Sequence, residues 1–470
     1  MGLFGSIYVG KSGVTSMSAG MGITADNLAN LESTGFRASR ALFEDLFARA
    51  TTEAPPYDQK GLGSRLKDVE VLYHEGPIKQ TDQPSDLAIS GKGFFVVSDG
   101  HEIFYTRDGQ FLPREQEGGR LRLSLPGGYD LLGWLCPEGT DCESLSSGPL
   151  VPIEFAKYIP GRASTKITLQ MNFDASKPAE ETNLDLYQKW DATEEEPLPQ
   201  GAYDFKAEVP VYDSLGNQHT LNFFFDRTAE ERVFEFFVTL DPAADPRGSG
   251  RYQGALMGGK IRFGSLGQLE GLEDLFYVTD PTGTQTPLTT DDFSEEGFPL
   301  LRLNLDGTEQ RIALDFGTFF DAAENSWKRL DDHASTSFAN PYAVLNENVD
   351  GYPPGFFETL SVSEKGIISV RYTNQETFEV ARVPLANFAS PDELERAGGN
   401  LFKASNGATP EIFAPGRTAP GAIFGGALEG SNVDLAQEMV RLITLQRTFQ
   451  SNTRIITTAD QMLEDFLRQV

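Results

Sequence analysis

Cysteine is nearly absent from this 470-residue chain: Cys136 and Cys142 are the only two. They sit close together in a Pro/Gly-bearing stretch with no histidine beside them, so a zinc site is not expected. One local disulfide is open to them in an oxidising compartment, but two free thiols are the plainer reading. Histidine is also scarce. His74, His101, His219 and His333 are scattered, and none falls in a metal-ligand or triad spacing. A G-x-S-x-G nucleophile motif is missing. Carboxylate pairs are unavoidable among 69 acidic residues and carry no catalytic meaning without geometry. No enzyme, cofactor or metal is expected.

Basic residues are few as well. With 39 Lys and Arg against those 69 acids, the formal net charge is -30, which excludes a general nucleic-acid binder, since phosphate contacts need cations. No run of eighteen apolar residues occurs, so membrane insertion is not expected. The first residues, MGLFGSIYVGKSGVTS, lack the basic start, unbroken apolar core and small-residue cleavage site of a secretory signal. Met1-Gly2 with Ser6 fits the short myristoylation pattern, which is matched by chance too often to count. The pair Gly91-x-Gly93 lacks the third Gly, the Lys-Ser/Thr and the helix start of a phosphate loop. Acidic runs at Glu194 to Glu196, Asp291-Asp292 and Glu295-Glu296 lack the alternating ligands and fixed Gly of a calcium loop and read as solvated surface.

What the chain does have is two long apolar seams at opposite ends. From Ser431 onward no Gly or Pro interrupts the last forty residues, and Leu435, Leu442, Phe449, Ile456, Leu463 and Val470 recur every seven residues. Ser431 and Asn432 are suited to cap this helix, and Asp434 places negative charge where the dipole favours it. Such a helix would be roughly 55 Å long and buries only a narrow stripe, so it needs a partner of similar length. Ile7, Val14, Met21 and Leu28 supply one between Ser6 and Leu31. Gly10, Gly13, Gly20 and Gly22 weaken that helix but permit close approach of a neighbour.

Charge follows the same division. Residues 1 to 50 hold four basic and four acidic side chains, and residues 427 to 470 hold four and six, so the ends sum to -2 and the middle carries -28 of the -30. Near-neutral ends suit side-by-side packing, and an acidic middle keeps a monomer in solution. With 47 Gly, 27 Pro and 34 Phe, that middle is expected to be rich in strands and turns. The clearest strands are Lys166 to Asn172, Asp204 to Tyr212, Thr220 to Arg227, Arg232 to Leu240 and Leu301 to Asp306, with a hairpin turn at Asp213 to Asn217.

The segment NLANLESTGFRASR, residues 27 to 40, has Gly35 for a left-handed turn, Phe36 as an anchor, and Arg37 and Arg40 as expected surface charge. It resembles the N-terminal signature of the flagellar axial proteins, the family of rod, hook and hook-filament junction subunits, which reads roughly N-N-I-A-N-x-x-T-x-G-F-K. Asn27, Ala29, Asn30, Gly35 and Phe36 match outright. Asp26, Leu28, Ser33 and Arg37 are conservative departures. Residues 426 to 467 are similar almost throughout to the family's terminal helix, including Leu428 to Leu435, Gln446-Arg447 and Thr458 to Leu463. Residues 76 to 111 and 351 to 388 resemble the two halves of its core β domain. There Gln375 stands where Gly is usual, and Ser390-Pro391-Asp392 replaces the usual Asn-Pro-x-Gly turn.

The resemblance implies a multidomain α+β chain with paired, coiled-coil-like N- and C-terminal helices and two discontinuous, mainly-β domains, the second inserted in the first. The expected division is a helical core at 1–42 and 427–470, a linker at 43–75, a core β domain at 76–151 and 336–426, and an inserted outer domain at 152–335. Within the family, length and the insertion select the hook subunit over the shorter distal rod subunit. The implied role is a homopolymer that forms a flexible curved tube between rod and filament. Its implied partners are the distal rod protein, the hook cap, the hook-filament junction protein and the flagellar export apparatus. A secreted β-rich adhesin or hydrolase is the alternative of another class.

Overall fold

The computed structural model describes residues 3–47, 61–137, 141–177, 185–305, 308–330, 334–390, 393–405 and 408–469. His333, Val470, the Pro391-Asp392 turn and the Pro-bearing part of the expected linker lie outside them, as does Asp306 at the end of one expected strand. Three α-helices occur among the described residues: α1 (Leu3–Ala29), the single turn α2 (Leu186–Lys189) and α3 (Leu435–Gln469). The chain divides into two compact units, Met1–Lys157 with Phe357–Val470, and Tyr158–Phe356.

In the first unit the two ends of the chain interleave. Strand Leu87–Gly91 pairs with Gly421–Gly425, Ile78–Gln80 with Ala427–Glu429, Ile103–Thr106 with Leu401–Ala404, and Asp130–Leu135 with Thr377–Arg382. Alternating apolar residues build the packing: Phe94, Val96, Tyr105, Ala386, Phe388 and Phe402 form one buried cluster. Each half of this sheet lacks the partners that the other half supplies, so the domain closes only when the late segment is present.

Two differences from expectation lie before this sheet. Residues expected to form a linker instead carry two long strands, β1 (Ser39–Phe47) and β2 (Gly61–Val71), paired antiparallel from Ser39 opposite Val71. The Pro- and Gly-bearing stretch between them dominates the local composition and hides the pairing. Cys136 and Cys142 are joined as a disulfide, with Cα atoms 5.5 Å apart, where free thiols were the plainer expectation. Spacing alone does not report that separation.

The second unit accounts for much of the phenylalanine. Strands Phe205–Tyr212, Gln218–Arg227, Val233–Leu240, Ala255–Phe263, Leu269–Val278 and Gln285–Pro287 follow one another as an antiparallel meander. A second sheet is built around Lys166–Asp174, which pairs in parallel with Thr308–Asp315 and Thr336–Phe338 and antiparallel with Ala343–Val349. Phe173, Phe223, Phe225, Phe234, Phe236 and Phe316 are buried between them. Thr336–Phe338 and Ala343–Val349 therefore lie with this unit, beyond the expected end of the insertion at 335. The Asp213 to Asn217 turn joins the first two meander strands as expected, with Asp213 Oδ1 accepting from the N–H groups of Leu215 and Asn217 at 2.8 Å each.

Gln375 holds the turn that Gly usually makes in the family, at φ 68°, with its N–H on Tyr372 O at 2.9 Å. Hairpin pairing of Ile367–Tyr372 with Thr377–Arg382 thus imposes a left-handed residue despite the side chain.

Glu235 lies in a meander strand, where burial pushes its carboxyl up to about 8 although Leu186 N–H donates to it at 2.8 Å. In the unfolded chain this group releases its proton near 4.5. The folded unit keeps the proton up to about 8, so the group's contribution is fully present below about 4.5 and lost as pH rises through about 8. Thermal unfolding of the second unit followed between these pH values should show a falling midpoint, and Glu235→Gln should flatten the slope; an unchanged slope contradicts the assignment.

Candidate assembly site

The helices α1 and α3 lie side by side and antiparallel. A Cβ added to Gly10 would fall 2.8 Å from Ile456 Cγ1, one on Gly13 2.6 Å from Asn452 Nδ2, and one on Gly20 3.3 Å from Leu445 Cδ2. As residue numbers rise on one helix they fall on the other. Small residues at the line of contact let the axes approach, because interaxial distance is set by the side chains between them.

The contact line is therefore displaced from the expected seam. Gly10, Gly13, Ser16, Gly20, Thr24 and Asn27 are the buried face of α1, whereas Ile7, Val14, Met21 and Leu28 flank it, half-buried. On α3, Leu445 and Ala459 are buried; Leu442, Phe449, Ile456 and Leu463 are half-buried, and Leu435 is 51% exposed. Heptad spacing finds the correct side of each helix, but the large residues of α1 close over the edges of a small-residue groove. Strand β2 covers part of α1 as well: Ser16 Oγ donates to Ser64 O at 2.8 Å, and Ser64 N–H donates to Ser12 Oγ at 3.2 Å.

Where the helices meet the β unit, the signature residues form a junction. Asn27 donates from Nδ2 to Ser39 O at 2.7 Å and accepts at Oδ1 from Ser39 N–H at 2.8 Å, imitating a ladder pair that ties the end of α1 to the start of β1. Asn30 closes the helix end, donating to Asp26 O at 2.9 Å and accepting from Ser33 Oγ at 3.0 Å. Ala29 is exposed at the end of α1. Gly35 has φ 68°, which side chains rarely adopt, and a Cβ there would lie 2.5 Å from Asp108 N, so the space excludes any side chain. Phe36 is buried, with the Arg396 guanidinium 5.3 Å above its ring.

The centre of the junction is an ion triad. Glu429 is fully buried: Oε1 lies 2.7 Å from Arg37 Nη2 and Oε2 lies 3.0 Å from Arg107 Nη1. Gly76 N–H donates to Oε1 at 2.9 Å, and Gly35 N–H donates to the Glu429 carbonyl at 2.8 Å. Arg37, expected as surface charge, is 1% exposed, because folding brings Glu429 to it from the far end of the chain. Arg40 is exposed as expected and pairs with Glu70 Oε2 at 2.6 Å. Burial lowers the Arg107 pKa, Glu429 holds it up, and the Arg37 charge adds to the lowering. Arg37 Nε and Arg107 Nε have no hydrogen-bond partner, so the carboxylate charge is what balances the two cations.

Asn432 completes the junction. It was expected to cap α3, but Asp434 does so, accepting from Ala436 N–H at 2.8 Å and Gln437 N–H at 3.1 Å. Asn432 instead accepts from Ala38 N–H at 2.7 Å and donates to Leu72 O at 2.7 Å and His74 O at 2.9 Å. Sequence reasoning missed Arg107, Glu429 and Asn432 as a set; the available signal was that all three lie within the matched segments.

Glu429→Gln should cost the first unit about 3–5 kcal/mol by leaving two buried guanidinium groups uncompensated. Arg40→Ala should cost no more than about 1 kcal/mol, as expected for an exposed pair. Denaturant unfolding of both variants checks the contrast, and equal losses would contradict it.

Among the described residues no three His, Cys, Asp or Glu converge on a metal position, and no helix is long and apolar enough to cross a membrane. Residues 161–352 match the family model described as the flagellar basal body protein FlaE D2 domain, and residues 425–469 match the flagellar basal body rod FlgEFG protein C-terminal model. The chain is 26% identical to the flagellar hook protein FlgE of Treponema pallidum, with 98% of each chain covered. It is 27% identical to that of Borreliella burgdorferi, covering 98% of this chain and 99% of the relative. Identity to the Salmonella typhimurium hook protein is also 27%, over 96% of each. Two family models, relatives matched from end to end, and a junction built from both terminal signatures agree: this chain belongs to the flagellar hook protein family, as an extracellular structural subunit that polymerises and not as an enzyme.

Proposed function

We propose that the paired helices α1 and α3 form the wall of a tube, made by stacking copies of this chain, that joins rod to filament and bends while transmitting torque. The observation that carries this reading is the apolar surface that α1 leaves uncovered on α3. Val440 is 65% exposed and Phe466 66%, and Leu435, Met439, Ile443, Ile455, Met462 and Leu467 are exposed with them. Each such side chain gains about 1.5–3 kcal/mol when fully buried, so neighbouring copies have a strong reason to cover them.

In this reading Ile7, Val14, Met21, Leu28, Leu442, Phe449, Ile456 and Leu463 hold the pair within one subunit, and Leu435 belongs to the surface between subunits. The helical core is the assembling domain, the first β unit its rigid support, and the acidic second unit a module whose neighbours slide as the tube curves. The uneven charge supports this, since near-neutral helices pack readily while acidic modules repel and stay separate. The subunit leaves through the flagellar export apparatus without a cleaved signal, is added beneath a hook cap, and contacts the distal rod protein at one end of the tube and the hook-filament junction protein at the other.

A strain lacking this chain should yield basal bodies with a complete rod and no curved hook by electron microscopy. Rods missing their distal part would overturn the reading in favour of a rod subunit.

A further inference from the structure

The disulfide has no part in the helical junction, yet it stands beside a third buried guanidinium, that of Arg382. Cys136 follows strand Asp130–Leu135 and donates its N–H to Val380 O at 3.0 Å. Cys142 is fully buried and opens the turn Cys142–Ser144, capped by Asp141, whose Oδ1 accepts from Glu143 N–H at 2.9 Å. The carbonyls of Glu143 and Leu145 both accept from Arg382 Nη1 at 2.7 Å. Lys365 O accepts from Arg382 Nε at 3.1 Å, and Pro415 O from Nη2 at 3.5 Å. Arg382 is 6% exposed and is held by carbonyls, with no carboxylate hydrogen-bonded to it. Its two shortest bonds go to the segment that the disulfide tethers. Glu143 also pairs with Lys365, two residues before strand Ile367–Tyr372.

We propose that the Cys136–Cys142 bond is a redox clamp that fixes residues 141–145 over Arg382, so that the core β unit reaches its final packing only after the subunit has left a reducing compartment. The inference rests on the extracellular placement of the subunit. Thiols stay reduced in a typical cytoplasm and oxidise outside it. The chemistry is thiol-disulfide exchange with a low-molecular-weight disulfide RSSR. The half-buried Cys136, as thiolate, attacks one sulfur and releases RS⁻; the Cys142 thiolate then displaces the second RS⁻ and closes the ring. The two cysteines lose two electrons and two protons, and RSSR becomes two RSH. Until then the two acceptors of Arg382 Nη1, Glu143 O and Leu145 O, are not fixed in place, and its strand Thr377–Arg382, which pairs with both Ile367–Tyr372 and Asp130–Leu135, is held less firmly.

The test uses the full-length, unassembled chain, oxidised or treated with dithiothreitol, with hydrogen exchange read by mass spectrometry and free thiols counted by alkylation. The oxidised chain should give no alkylated cysteine. Reduction should raise exchange at 141–145 and 377–382 by about tenfold or more while leaving 205–278 unchanged. The double variant Cys136→Ser, Cys142→Ser should show the reduced pattern from the start and no response to dithiothreitol. Two alkylatable thiols in chains taken from extracellular polymers would overturn the proposal, as would exchange at 377–382 that ignores reduction. Since the readout lies within one β unit before assembly, a failure to polymerise would count against the tube and leave the clamp standing.

Discussion

Glu429 has to lie between Arg37 and Arg107, and most of the first unit follows from that requirement. Leaving a buried guanidinium uncompensated is costly, and this junction brings two of them together at one point. Arg37 comes from the turn after α1, Arg107 from the early half of the core sheet, and Glu429 from the last strand before α3. Satisfying all three charges together brings both ends of the chain to one point. Asn27, Gly35 and Asn432 then set the angles at which the helices leave it. The triad is thus a specificity device: apolar contacts along α1 and α3 tolerate sliding, but a carboxylate facing two guanidinium groups has one register.

The fold divides labour between a part that is satisfied alone and a part that is not. Both β units have an aromatic core of their own, with Phe94 and Phe402 buried in one and Phe173 and Phe225 in the other. The helical pair buries a small-residue groove and leaves large side chains on α3 open to solvent. A subunit built this way retains a drive to associate along one element, the uncovered face of α3. The near-neutral charge of the ends and the acidity of the middle reinforce the same division.

Much of this was legible beforehand. The long final helix was visible because nothing breaks it and its apolar residues recur at a helical period, and the meander strands were visible from alternation between turn residues. What escaped notice depended on distant partners. Arg37 looks like surface charge until Glu429 arrives beside it. Asn432 looks like a cap until Ala38, Leu72 and His74 claim it, after which Asp434 takes over the cap. The groove on α1 that meets α3 is lined by Gly10, Gly13 and Gly20, which have no side chains to count, so apolar periodicity registers its rims and misses its floor. The β1–β2 ribbon was hidden by the Pro-bearing stretch between its strands, and the disulfide by the fact that spacing does not give a Cα separation.

The central claim is that α3 carries one face for its own subunit and a second face for its neighbours. A cryo-electron microscopy reconstruction of the polymer formed by the full-length chain tests it most directly. The account predicts that α1 and α3 stay paired around Gly10, Gly13 and Gly20, that Glu429 keeps both arginines, and that Met439, Val440, Ile443, Ile455, Met462 and Phe466 are buried against adjacent copies. A tube in which those side chains remain open to solvent, or in which α1 and α3 have separated, would contradict it.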